Sequence, residues 1–147
     1  MSSELRVRRA VAADAASVGR LVADLGALRQ ATARPALPAL KRELGRRSSP
    51  VLLALQDGRV VGLLRFHLLH ALAHNGRRWA LLEDLIVDAR ARGQGVGELL
   101  LAQALLRAKR MGCYKISLAS RLGRHSAHAL YKKAGFEKFG HGFRRLL

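Results

Sequence analysis

The run Arg92-Gly93-Gln94-Gly95-Val96-Gly97 holds the residue types that an anion site needs. Glycine tolerates positive φ and puts no Cβ between the backbone and an approaching oxyanion. Before the run, Trp79 to Asp88 reads as an apolar strand; after it, Glu98 to Met111 has the length and apolar content of a helix. A strand, a glycine turn and a helix start gather free backbone N–H groups at the positive end of a helix dipole, which favours a phosphate. Two familiar phosphate sites are excluded. A dinucleotide-binding turn needs Gly-x-Gly-x-x-Gly with an acid about twenty residues on, whereas these glycines fall at 93, 95 and 97 and no acid occurs from 99 to 136. A P-loop needs Gly-Lys-Ser or Gly-Lys-Thr, and the chain has neither. Just upstream, Glu83 and Asp84 are adjacent carboxylates inside the apolar strand. A carboxylate beside a sheet core has its pKa raised, which suits a base, and strand alternation sends the two to opposite faces.

The elements that must position these residues follow from periodicity. Leu5 to Val11 alternates as a first strand, and Asp14 can cap a helix carrying Val18, Leu21, Val22, Leu25 and Leu28. Pro35 suits the first turn of a second helix with Leu37, Leu40 and Leu44. Val51 to Gln56 and Arg59 to His70 flank Asp57-Gly58, a hairpin signal, and a turn at Asn75-Gly76 returns the chain into the strand over 79–88. The helix after the glycine turn carries Leu99, Leu100, Leu101, Leu105 and Leu106 toward the sheet and stops at Gly112. Tyr114 to Ala119 reads as a strand, Ser126 to Ala134 as a short helix, and Phe136 to Leu147 as a short β-like tail.

The 147 residues suit one domain over 1–147 with a real core, and half of them are apolar. No apolar run approaches the length of a membrane span, and Met1 to Arg9 lacks the apolar stretch of a signal peptide. Cys113 is the sole cysteine, so a reducing, cytoplasmic location is expected, without disulfides and without a catalytic thiol. His67, His70 and His74 lack the spacing of the commoner zinc motifs, and no metal is expected. Net charge is +17, carried by 21 Arg and 6 Lys scattered along the chain. Scatter of this kind reads as a solvated basic surface that favours anionic small molecules, and specific nucleic-acid binding is not expected.

Two motifs carry a resemblance. Arg92, Gly95 and Gly97 supply Arg/Gln-x-x-Gly-x-Gly/Ala, and Ala127-His128-Ala129-Leu130-Tyr131-Lys132-Lys133-Ala134-Gly135-Phe136 supplies Ala-x-x-x-Tyr closed by Gly-Phe. Together they resemble the GNAT superfamily of acetyl-CoA-dependent N-acetyltransferases, and the order of expected elements extends the resemblance over essentially the whole chain. Many members place Asn seven positions before the Tyr, where this chain has Arg124. The variant Arg124 to His128 looks more like aminoalkylphosphonate and some aminoglycoside acetyltransferases.

The resemblance implies an α/β (α+β) fold, with a mixed, mostly antiparallel sheet of about six to seven strands and about four helices. It implies direct transfer of the acetyl group of acetyl-CoA to a primary amine, with no acyl-enzyme. Leu85, Ile86 and Val87 would offer strand backbone to the pantetheine arm, and Arg92, Gly93, Gln94, Gly95, Val96 and Gly97 would hold the pyrophosphate. Tyr131 is the expected acid for the leaving thiolate, its phenol having an ordinary pKa of about 10, and Glu83 the expected base, with Asp84 or water as alternatives. His125 and His128 are candidates for acceptor contact. The expected acceptor is a small-molecule amine, an anionic one by charge; protein N-termini or lysines remain open. A reading of another class is a non-catalytic acyl-CoA-binding or nucleic-acid-binding module of this type. Homodimerisation is a family expectation.

Overall fold

The computed structural model describes residues 4–29 and 35–147, the side chains of 25–29 excepted. Five strands form one sheet in the order β1 (Leu5–Arg9), β2 (Val51–Gln56), β3 (Arg59–Ala71), β4 (Arg77–Val87) and β5 (Ile116–Leu118). In the chain, α1 (Ala15–Arg29) and α2 (Leu37–Gly45) separate β1 from β2, α3 (Val96–Arg110) separates β4 from β5, and α4 (His125–Lys133) follows β5. β1 to β4 pair antiparallel and β5 runs parallel to β4. Both hairpins close where turn chemistry demands. Asp57 (φ 49°) with Gly58 (φ 79°), and Asn75 (φ 58°) with Gly76 (φ 72°), take the left-handed conformation that splays strands least. A parallel partner cannot return by a hairpin, so α3 serves as the crossover from β4 to β5.

Both faces of the sheet are covered, which is why β2 reads as an unbroken apolar run. On one face Leu52 and Ala54 pack with Leu64, Phe66, Ala80 and Leu82 against Leu100, Leu101 and Ala104 of α3. On the other, Leu53, Leu55, Leu63 and Ile86 meet Val18 and Leu21 of α1 and Leu44 of α2. Alternate residues of one strand thus fill two cores, the period of two that a strand imposes.

The structure corrects several expectations. The sheet has five strands among the described residues, not six to seven, because the tail over 136–147 joins no ladder. Gly140 turns it with φ at 70°, and Phe139, Phe143 and Leu146 are left exposed. The first strand stops at Arg9, and Asp14 does not cap α1. It closes a 3-10 turn, accepting the Val11 N–H at 2.8 Å and pairing with Arg8 at 2.8 Å. Pro38, rather than Pro35, stands in the first turn of α2, where its missing N–H costs nothing. The buried stripe of α3 is Val96, Leu100, Leu101, Ala104 and Ala108, with Leu106 exposed, because these positions share one face at 3.6 residues per turn. Leu25 and Leu28 lie outside the described side chains.

Candidate active site

Gly95 is the N-cap of α3 at φ 80°, and Gly93 precedes it at φ 72°, so both need the freedom of glycine. A Cβ on either would meet nothing within 4 Å, so the turn opens to the surface. The first intrahelical bond runs from Leu99 N–H to Gly95 C=O at 3.0 Å. The N–H groups of Val96, Gly97 and Glu98 therefore precede the helical ladder, free for an anion. The turn is tied down from behind. Gln94 accepts from Gln56 at 2.8 Å and donates to Arg90 C=O at 2.9 Å, and Arg92 Nε reaches Val87 C=O at 3.4 Å. Gln94 thus spends its side chain on the loop itself. Val96 buries its side chain in the core and faces the site by backbone only. Glu98, whose charge would oppose an anion at the turn, is paired with Lys133 of α4 at 2.9 Å.

Gly97 serves packing. A Cβ there would stand 2.9 Å from Leu130 Cδ2, so its absence lets α4 approach the start of α3. That contact matters because α4 carries Tyr131. The end of α4 explains the Tyr-x-x-x-Gly-Phe spacing. Phe136 N–H bonds Tyr131 C=O at 2.9 Å and Gly135 N–H bonds Lys132 C=O at 3.0 Å, with Gly135 at φ 89°. This is a Schellman stop, whose usual apolar contact is here the Phe136 ring edge-on to Tyr131 at 6.2 Å. The Tyr131 ring is buried in the α3-side core. Its hydroxyl has no protein hydrogen bond among the described residues, yet it is not among the fully buried unpartnered atoms, so it retains solvent contact.

β4 and β5 pair only at Ala80↔Ile116, Leu81↔Ser117 and Leu82↔Leu118, while β4 continues to Val87. Beyond Leu82 the β5 edge of β4 has no strand partner among the described residues, and this open edge leads to the glycine turn. Leu85 and Val87 lean on the α3-side core and Ile86 on the opposite core, so this stretch too can meet a ligand only through backbone.

The same stretch begins with a β-bulge. The register passes from Arg65↔Glu83 to Leu63↔Ile86, so Leu64 faces both Asp84 and Leu85, and Asp84 is left-handed at φ 53°. The inserted residue reverses the alternation: Ala80 and Leu82 precede it on the α3-side core, Leu85 and Val87 follow it there. Simple alternation does not hold across the bulge: Asp84 is the extra residue, and both carboxylates are exposed. Nor is Glu83 in apolar surroundings, since 54% of its side chain is exposed. Its carboxylate Oε2 lies 2.6 Å from His67 Nε2, and His67 Nδ1 lies 2.9 Å from Ser49 Oγ.

His67 and Ser49 are residues that sequence reasoning did not place in the site. Counting back from the Asn75-Gly76 turn was the available signal, because it brings His67 opposite Leu81, diagonal to Glu83. His70 and His74 are not brought to it; His74 stacks on Tyr114 at 5.1 Å. Among the described residues no three His, Cys, Asp or Glu come together as a metal site. His128 bonds Ser120 at 3.2 Å and stands edge-on to His125 at 6.4 Å. Burial pushes the Cys113 thiol up from its ordinary pKa, away from a nucleophilic thiolate. No helix among the described residues is long and apolar enough to cross a membrane.

A mixed sheet opened along β4 toward a glycine-capped helix is an α/β arrangement able to receive an extended ligand with an anionic end. The comparison with known proteins specifies it: residues 23–136 match the Acetyltransferase (GNAT) family, and the chain belongs to that family. It is 32% identical over 96 residues to the aminoalkylphosphonate N-acetyltransferase of Salmonella typhimurium, covering 65% of this chain and 61% of that one. It is 32% identical over 79 residues to the glucosamine 6-phosphate N-acetyltransferase of Trypanosoma brucei brucei, covering 54% of this chain and 52% of that one. The matched part thus spans about half to three-fifths of these relatives. In fold, the crystal structure of a transcriptional regulator from Bacillus halodurans C-125 superposes with a TM-score of 0.87 at 27% identity, covering 98% of this chain and 100% of that one.

Proposed function

We propose that the protein moves the acetyl group of acetyl-CoA directly to the primary amine of a small molecule that also carries a phosphonate or phosphate. The observation that carries this reading is the open β5 edge of β4 running into the free N–H groups of α3. That shape suits an extended amide-bearing arm ending in a pyrophosphate. Leu85, Ile86 and Val87 would pair by backbone with the arm, and Arg92 to Gly97 would receive the pyrophosphate, with Arg92 adding positive charge. Acetyl-CoA supplies an activated thioester carbonyl. Glu83 would take the proton of the acceptor ammonium, and Tyr131, with its ring fixed and its hydroxyl open, would protonate the departing thiolate and be reprotonated by the proton that the nitrogen sheds as the amide forms. The thiolate and the tetrahedral oxyanion need donors in place, which a fixed phenol and strand N–H groups provide.

The acceptor class rests on two supports. The names of both curated relatives pair an amine with a phosphorus oxyanion, and net charge +17 favours an anionic amine over a polycation. The test is release of free CoA thiol from acetyl-CoA with 2-aminoethylphosphonate, glucosamine 6-phosphate, glucosamine and a lysine peptide as acceptors. Turnover is expected with the first two and at least tenfold less with glucosamine. Preference for the peptide would replace the small-molecule reading with protein acetylation. Acetyl-CoA binding without thiol release on any acceptor would overturn catalysis itself.

A further inference from the structure

We infer that His67 is a positioning residue that makes one oxygen of Glu83 the working base. This rests on the reading of Glu83 as base and adds how the chain equips it. Three residues from separate segments form a chain: Ser49 in the polar turn before β2, His67 on β3 and Glu83 on β4. The two contacts, 2.9 Å and 2.6 Å, use both ring nitrogens of His67. With the Ser49 hydroxyl donating to Nδ1, the neutral ring keeps its proton on Nε2 and donates it to Glu83 Oε2. An ionised Glu83 can only accept, so a neutral ring meets both contacts in this one tautomer; Ser49 then satisfies Nδ1 and His67 fixes the carboxylate.

The rest of Glu83 is left free. Its Oε1 has no protein partner among the described residues, and the side chain is 54% exposed while the His67 side chain is 20% exposed. One oxygen is therefore held from the sheet and the other presented outward. In the proton step an N–H bond of the acceptor ammonium breaks, its electron pair stays on nitrogen, and an O–H bond forms at Glu83 Oε1. His67 Nε2–H keeps its bond to Oε2 throughout, so Glu83 takes up one proton without passing one to the ring. The proton leaves to water once the amide product departs.

The charged surroundings show why a histidine was needed. Arg65 stands directly opposite Glu83 and is the obvious rival partner. Its guanidinium is committed at 2.5 Å to Glu43 of α2, which Arg46 also meets at 3.2 Å, and Arg65 holds the Glu43 carboxyl below its usual range. Asp84, next in the chain, is exposed at the bulge. A carboxylate paired with Arg65 would be held ionised and would accept protons poorly. A neutral imidazole orients it at less cost to basicity.

The experiment compares Glu83→Gln, His67→Leu, His67→Gln and Ser49→Ala, each checked for unchanged thermal unfolding and acetyl-CoA binding. His67→Leu should lower kcat by ten- to hundred-fold, leave the KM for acetyl-CoA within twofold, and move the acidic limb of kcat/KM to higher pH, since the carboxylate has lost a donor. His67→Gln, whose amide N–H can take the place of Nε2–H, should recover at least fivefold of that loss; Ser49→Ala should fall between. Wild-type kcat and pH profile in His67→Leu, with Glu83→Gln slow, would overturn the inference and leave the base in place. Wild-type activity in Glu83→Gln would remove the base and the inference with it. If His67→Leu unfolds, the same decision falls to His67→Gln and Ser49→Ala: a profile in both identical to wild type overturns the inference.

Discussion

The glycine turn permits a test in which stability and binding separate. Gly95 starts α3 at φ 80° and Gly112 ends it at φ 70°, and a Cβ on either would meet nothing within 4 Å. Alanine at both positions should therefore cost the same thing, left-handed backbone strain of about 1–2 kcal/mol. A less flexible unfolded chain offsets about 0.4–1 kcal/mol of that. The net, on the order of 1 kcal/mol, lowers Tm by about 2–4 °C in a chain of this size. The proposed pyrophosphate site predicts that the two substitutions differ in ligand binding. α3 has 15 residues, so its ends stand about 22 Å apart at 1.5 Å per residue. At Gly95 the methyl enters the approach to the free N–H groups of Val96, Gly97 and Glu98; at Gly112 it borders a Schellman stop, where Cys113 N–H bonds Ala108 C=O at 3.0 Å. Calorimetric titration with acetyl-CoA should show Kd at least tenfold weaker for Gly95→Ala, about 1.4 kcal/mol, and unchanged for Gly112→Ala. Equal affinities in the two variants, or an unchanged Kd at Gly95, would refute the assignment of this turn to the pyrophosphate.

Other outcomes follow from single contacts. Tyr131→Phe keeps the ring against Phe136 and should leave Tm and acetyl-CoA affinity within error while lowering kcat by about tenfold or more; full turnover would remove the residue from the mechanism. Gly62→Ala would set a Cβ 2.9 Å from Val96 Cγ1 and 3.2 Å from the Ile86 carbonyl oxygen, and since that carbonyl cannot rotate away, about 1–3 kcal/mol should be lost. A wild-type midpoint in urea would contradict this. Arg8, through its hydrogen bond, holds the Asp14 carboxyl below its ordinary pKa. That stabilisation is complete above the unfolded value of about 4 and is lost as pH falls through the lower folded value. Asp14→Asn should flatten the acid side of a Tm-against-pH curve, and an unaltered slope would reject the linkage.

The glycine turn and the end of α4 were legible because they are written in backbone. Gly93 and Gly95 announce positive φ, Gly135 announces the stop of α4, and the sheet edge beside them follows from strand order. The bulge at Asp84 was not legible, since a left-handed Asp in an apolar strand carries no signal that simple alternation can use. The Glu83 partner was hidden for a different reason. Register from Asn75-Gly76 brings both Arg65 and His67 within reach of Glu83, and choosing between them requires knowing that α2 delivers Glu43 to Arg65. The tail misled because its alternation has no strand to pair with: β5 is only Ile116–Leu118 and already lies beside β4.

The charge balance gives that hidden choice its weight. Twenty-seven Lys and Arg face ten acids, so an exposed carboxylate here is surrounded by candidate counter-ions. A base that pairs with arginine spends its proton affinity on the pair. The described structure gives arginine partners to Asp14 and Glu43 and a lysine to Glu98, and gives Glu83 a histidine. Surface pairs of this kind add little stability. Their arrangement bears on the proposed chemistry instead: Glu43 draws away the arginine that lies across from Glu83, and Lys133 pairs with Glu98 at the start of α3. In a chain this basic, an anionic donor and an anionic acceptor are attracted by the whole surface. What distinguishes Glu83 is a partner that is a histidine and not an arginine or a lysine.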